Sequence, residues 1–178
     1  MSRARPFLVA LTLALLAACS SAPYVAAPSD PEILLVHAPA EAFEPERDEI
    51  SLLAAYYGTS TSLAPAIETL VSAAELRDLL EAEGFKVFAF SGNLGDTATG
   101  LPGNLARGRP LLVLVDWGGG PRWLLVVGWD GGRRLALIQD GRGAIHAIEL
   151  PELERIWTPT KSLTILAVPR GMNQGTTP

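Results

Sequence analysis

One cysteine and two histidines bound the chemistry open to this chain of 178 residues. The cysteine is Cys19 and the histidines are His37 and His146. Two imidazoles and one thiol fall short of the four ligands of a structural zinc site, so neither metal nor cofactor is expected. A serine hydrolase of the strand-to-helix kind carries its nucleophile in a Gly-x-Ser-x-Gly elbow, and the sequence has none. Gly118-Gly119-Gly120 is not a phosphate loop, because no lysine or helix start follows it. The lone cysteine also excludes disulfides within the chain, so the fold must rest on its core.

The surroundings of Cys19 suggest a different use for its thiol. Arg3 and Arg5 precede an apolar run from Phe7 to Leu16, too short to cross a hydrocarbon layer of roughly 30 Å. Such a run has the form of a signal peptide's hydrophobic region, here residues 1–18. The following Leu16-Ala17-Ala18-Cys19 resembles the lipobox of bacterial lipoproteins. That resemblance implies cleavage before Cys19, diacylation of its thiol and, often, acylation of the new amine. Two or three acyl chains suffice for stable anchoring to a membrane. Ser20 and Ser21 follow. By resemblance to Gram-negative lipoproteins, serine rather than aspartate there favours the outer membrane, with the chain facing the periplasm.

Residues 19–178 then form the mature chain. Loss of the two N-terminal arginines leaves 12 basic against 19 acidic residues, a formal charge of −7. This balance argues against nucleic acid or anionic headgroups as partners. Residues 19–32 hold three prolines among small residues and are expected to be a flexible tether. Residues 171–178 are a polar, frayed tail, which leaves 33–170 as a single folded domain.

The elements that must position any site are legible from periodicity. Asp48 caps a first helix whose Ile50, Leu53, Ala54 and Tyr57 share a face, with Gly58 ending it. Ser72-Ala73-Ala74-Glu75 is a capping box opening a second helix, which Gly84 closes. Lys86 to Ser91 is a short strand, and residues 93–108 a loop with one helical turn around Leu101 to Ala106. Five further strands are expected at Pro110–Trp117, Trp123–Trp129, Arg134–Gln139, Ala144–Leu150 and Ser162–Val168. Asp130-Gly131-Gly132 makes the hairpin between the second and third of these, and Pro151 opens a short helix to Ile156. Helices first and antiparallel strands afterwards give an α+β domain; a doubly wound parallel sheet would need helices between consecutive strands.

Three stretches carry a family resemblance in their order and spacing: Leu52-Leu53-Ala54-Ala55-Tyr56-Tyr57-Gly58, Gly108 to Val115, and Arg122 to Asp130. Ala136-Leu137-Ile138-Gln139-Asp140 and Leu150 to Trp157 complete the succession. Together they resemble a C39-type, papain-like cysteine peptidase domain, the kind that cleaves double-glycine leader peptides beside bacteriocin exporters. The resemblance implies helices packed on a mostly antiparallel sheet. It also implies a cysteine in a Cys-Gly-Pro turn before the first helix, with a glutamine upstream for the oxyanion. Counted back from Gly58, that turn falls near Pro45, Glu46 and Arg47, with neither residue present. The family's histidine opens the strand ending in Val-Gly-Trp-Asp, where this chain has Arg122. An arginine stays protonated and cannot act as a base toward a thiol. Asp140 alone remains, at the position that orients the histidine in active members.

No residue is therefore expected to be catalytic. His146 is read as facing solvent or a satisfied pocket, and Ser51 as a surface or small packing residue. Arg122 and Asp140 form an ion pair across the former site, or Arg122 flanks a turn and points to water; both readings stay open. Of Trp117, Trp123, Trp129 and Trp157, two or three belong to the core. Trp117, beside the three glycines, is the rim residue best placed to stack on a ligand. Three functions follow: a non-catalytic module binding a peptide or protein partner in export or envelope assembly, a hydrolase with an unconventional nucleophile, or a purely structural envelope lipoprotein. The first is preferred, since degenerate members bind cargo without cutting and a sheet edge can hold an extended peptide.

Overall fold

The computed structural model describes residues 33–35, 49–59, 72–95, 97–139 and 144–171. Cys19, His37, Asp48, Asp140, the segments expected to be signal peptide and tether, the turn near 45–47, and residues 172–178 of the tail lie outside the described residues.

The first helix, α1 (Glu49–Tyr56), is buried nearly all round: Ile50 and Leu52 to Tyr56 are each 7% exposed or less. A helix without a polar stripe sits between layers rather than on a surface. Gly58, at φ +64, ends it as a C′ glycine, its N–H donating to the Ala55 carbonyl. α2 (Ala73–Ala82) opens on the expected box: Ser72 Oγ accepts from the Glu75 N–H at 3.3 Å, and the Ser72 N–H donates to Glu75 Oε2 at 2.8 Å. These bonds to Ser72 hold the Glu75 carboxyl below its ordinary range. α3 (Leu101–Leu105) and α4 (Leu150–Trp157) both carry proline in their first turn. No helix among the described residues is long and apolar enough to cross a membrane.

Among the described residues seven strands form one antiparallel sheet: β1 (Ile33–Leu35), β2 (Phe85–Ser91), β3 (Leu111–Asp116), β4 (Pro121–Asp130), β5 (Leu135–Gln139), β6 (Ile145–Glu149) and β7 (Leu163–Pro169). Their spatial order is β2-β7-β3-β4-β5-β6, with β1 pairing the second half of β4. The α+β class and antiparallel sheet expected from the sequence are thus present. β1 was not foreseen, because three residues are too few to show an alternation. The expected β4–β5 hairpin is present. Its connection runs over residues 131–134, and the left-handed residue is Arg134 (φ +56), not a glycine. Asp130 makes this possible: its wholly buried carboxylate accepts from the Arg133 N–H at 2.9 Å and pairs with the Arg133 guanidinium.

The centre of the sheet is covered on both faces, so Leu111, Leu112, Val113, Leu125, Val126 and Val127 are all 1% exposed or less. Continuous apolar runs, rather than alternation, are what such strands require. Which helix covers which face follows from contacts and register. Tyr56 of α1 donates its hydroxyl proton to Gln139 Oε1 at 2.6 Å, so α1 lies on the Gln139 face. Thr164 Oγ1 and the Trp157 ring both crowd Gly92, so α4 lies on the Thr164 face. Gln139 pairs Leu125, which pairs Leu112; Thr164 pairs Val113. Paired residues share a face and neighbours alternate, so the two helices cover opposite faces of the sheet.

Candidate functional site

The start of β4 is where the resemblance would place a histidine. Register settles its two faces. Trp123 pairs Leu114 and stands two residues before Leu125, so it shares the α1 face with Leu125 and Gln139. Arg122 pairs Val115, two residues after Val113, and so belongs to the α4 face. Counting back from Gly128 misses this parity because β4 carries a bulge. Val126 pairs Ile138 and Gly128 pairs Leu137, leaving Val127 as an extra residue. The side chain at the head of β4 that stands over the α1 face is thus the half-buried Trp123, packed against the core. An indole has one N–H donor and no basic nitrogen, so it offers no general base.

Arg122 is exposed, and its guanidinium carbon lies 5.2 Å from the centroid of the Trp117 ring. That is a cation–π stack. Trp117 is 39% exposed and sits in the β3–β4 turn, where Gly118 and Gly120 take φ of +89 and +105. Only glycine adopts both angles at low cost, which explains the glycine run without a phosphate. The Asp116 carboxylate closes the turn by accepting from the Gly118 N–H at 2.7 Å. Glu152, at the start of α4, is gripped by Arg155, which donates to its carboxylate at 2.7 and 2.6 Å, and the Trp117 indole lies near enough to act on its charge. The Arg155 hydrogen bond first, and then its charge and the Trp117 indole, hold Glu152 below the usual carboxylate range.

The remaining candidates fall in separate places. His146 pairs Ile138, which pairs Val126, and so stands on the α4 face rather than beside α1. Ser51 is half-buried in α1. Asp140 lies outside the described residues, and so does its expected pairing with Arg122. Among the tryptophans, Trp157 is fully buried, Trp123 and Trp129 pack against the core, and Trp117 is exposed. Among the described residues no group of three or more histidine, cysteine, aspartate or glutamate side chains could hold a metal.

Two features escaped the sequence reading. The buried Tyr56–Gln139 bond joins the end of α1 to the end of β5. Its only sequence signal is a glutamine closing an otherwise apolar strand. The nearness of the Glu152–Arg155 pair to Trp117 depends on where α4 crosses the sheet, which spacing along the chain does not disclose.

No family model and no curated protein matches the sequence. Solved structures do resemble the fold. The peptidase domain of Streptococcus ComA, a bi-functional ABC transporter involved in quorum sensing, superposes with a TM-score of 0.50 at 14% identity. The match covers 71% of this chain and 96% of that domain. A double-glycine-motif protease from an AMS/PCAT transporter, solved with its leader peptide, gives 0.53 at 14% identity over 76% of this chain and 94% of the protease. The chain therefore has the fold of C39-type peptidase domains.

Proposed function

We propose that this chain is a lipid-anchored envelope protein whose C39-type domain binds a peptide or protein partner without cleaving it. One observation carries the reading: the peptidase fold occupies a stretch of chain that contains no cysteine. The only thiol, Cys19, precedes the first strand by more than a dozen residues and sits in the lipobox-like sequence. The head of β4 offers an arginine and a tryptophan where a base is needed. A thiolate mechanism requires both a thiol and a base within hydrogen-bond reach. Binding needs neither, and the related transporter protease was solved holding a leader peptide.

The anchor fits the same reading. Acylated Cys19, with a tether to residue 32, would hold the domain close to a membrane while leaving it free to meet a passing or assembling partner. In an envelope with two membranes, Ser20 directs it to the outer one, facing the periplasm.

Two measurements test these parts separately. Mass spectrometry of the mature N-terminus should find a diacylglyceryl group on Cys19, and Cys19→Ala should abolish both lipid and membrane fractionation. A random peptide library passed over the purified protein should yield enriched extended sequences. Retention no better than on the urea-unfolded protein would sink the binding reading.

A further inference from the structure

The side chains around the β3–β4 turn form a chain of contacts whose last member is open. Arg155 grips Glu152, the Trp117 indole lies near that carboxylate, and the Trp117 ring carries the Arg122 guanidinium. Arg122 ends the series: among the described residues its guanidinium makes no hydrogen bond or ion pair, only the ring contact at 5.2 Å. Arg122 is exposed, so its N–H donors are open to solvent beside the ring. The glycines beside it raise no wall, since a side chain built at Gly118, Gly119 or Gly120 would meet nothing within 4 Å.

We propose that this turn is a docking point for a carboxylate on an extended peptide segment of the partner. The proposal rests on the peptide-binding reading above and adds where on the domain, and by what chemistry, the peptide is recognised. A guanidinium edge matches a carboxylate with two parallel, charge-assisted hydrogen bonds. The ring beneath fixes the arginine before the partner arrives, so less rotamer freedom is lost on binding. Trp117, 39% exposed, supplies apolar area for the residue next to the carboxylate. A membrane surface fits less well. Anionic bilayers are read by clusters of four or more basic residues. Here a single guanidinium, without a hydrogen-bond or ion-pair partner among the described residues, shares the turn with the Asp116 carboxylate in a chain of net negative charge. A single anionic group can meet the one guanidinium; a continuous anionic sheet would meet the acidic surface as well.

The test uses the full mature protein in neutral detergent and three fluorescein-labelled twelve-residue peptides on one glycine, serine, valine and threonine framework. The first carries an internal Glu-Glu pair and an amidated end. The second is neutral with a free terminal carboxylate, and the third is neutral and amidated. Fluorescence anisotropy should show the first or second binding about tenfold tighter than the third, the worth of one such hydrogen-bonded pair. Which of the two wins tells a side-chain carboxylate from a chain terminus. Arg122→Ala should erase the preference, and Trp117→Ala should weaken it. Both residues are exposed, and unchanged circular dichroism would establish that the variants fold. If all three peptides bind wild type and Arg122→Ala alike, the docking point is overturned while peptide binding stands. If none binds, both fall. Displacement of the acidic peptide by phosphatidylglycerol micelles but not phosphatidylcholine would assign the turn to lipid phosphate and overturn the peptide assignment.

Discussion

Tyr56 and Tyr57 are neighbours in sequence and opposites in environment. The Tyr56 hydroxyl donates to Gln139 at 2.6 Å, whereas the Tyr57 hydroxyl is buried with no hydrogen-bond partner among the described residues, and its ring meets Phe85 edge-on at 6.2 Å. Removing one partner of a buried bond costs about 1–3 kcal/mol, while removing an unsatisfied polar atom relieves a desolvation penalty. Urea unfolding should therefore show Tyr56→Phe destabilised by about 1–2 kcal/mol and Tyr57→Phe unchanged or more stable. A reversed order would mean that the two hydroxyls have exchanged roles. Burial also raises the pKa of both phenols above the ordinary value, with the charge of Arg109 pulling Tyr57 partly back. Folding thus favours the protonated phenols. Their contribution is intact below pH of about 10, where unfolded tyrosine ionises, and is lost as pH rises beyond it. Chemical-denaturation midpoints measured from pH 8 to 11 should fall only at the alkaline end, and less so in Tyr56→Phe. Neither tyrosine's role was legible in the sequence, because both fit an apolar helix face equally well and their partners lie far along the chain.

The elements were far more legible, since helices and strands announce themselves locally. Ser72 to Glu75 is a cap at sequence level and a cap in the fold, and Gly58 and Gly84 end their helices at φ of +64 and +89. Ser72→Ala should cost about 1 kcal/mol by thermal or urea unfolding, the usual worth of an N-cap side chain. No destabilisation at all would mean the box is not formed in solution. What the sequence hid is the bulge at Val127. One uncounted residue transfers every earlier side chain of β4 to the other face, and this alone decides whether Arg122 or Trp123 looks toward α1. The expected hairpin is present at 131–134, with Asp130 stabilising an arginine in the left-handed region where a glycine is the usual choice. Gly92 shows how tightly the α4 side is packed: a Cβ there would come within 2.6 Å of the Trp157 ring and collide with Thr164. Gly92→Ala should therefore cost about 1–3 kcal/mol, read as a lowered melting temperature. Wild-type stability in that variant would show that α4 can shift off the sheet.

At the scale of the whole molecule, one sheet is sandwiched between α1 and α4, and the two helices serve different ends. The α1 side is the one that a C39-type peptidase would use, with its nucleophile before α1 and its base at the head of β4. In this chain that strand head is filled by Trp123. The α4 side carries the Trp117–Arg122 stack, near the Glu152–Arg155 pair. Fold class and element order could be read from the sequence because the apolar runs are long and the turns rich in glycine. The separation of the two faces could not, since it depends on strand register. The proposed function has this fold holding a peptide and not cutting it. The decisive measurement incubates the purified protein with a double-glycine leader peptide in excess, follows complex formation, and weighs the peptide by mass spectrometry over a day. A bound peptide recovered whole is expected. A cleaved peptide, accumulating in proportion to the protein added and absent with heat-unfolded protein, would contradict it.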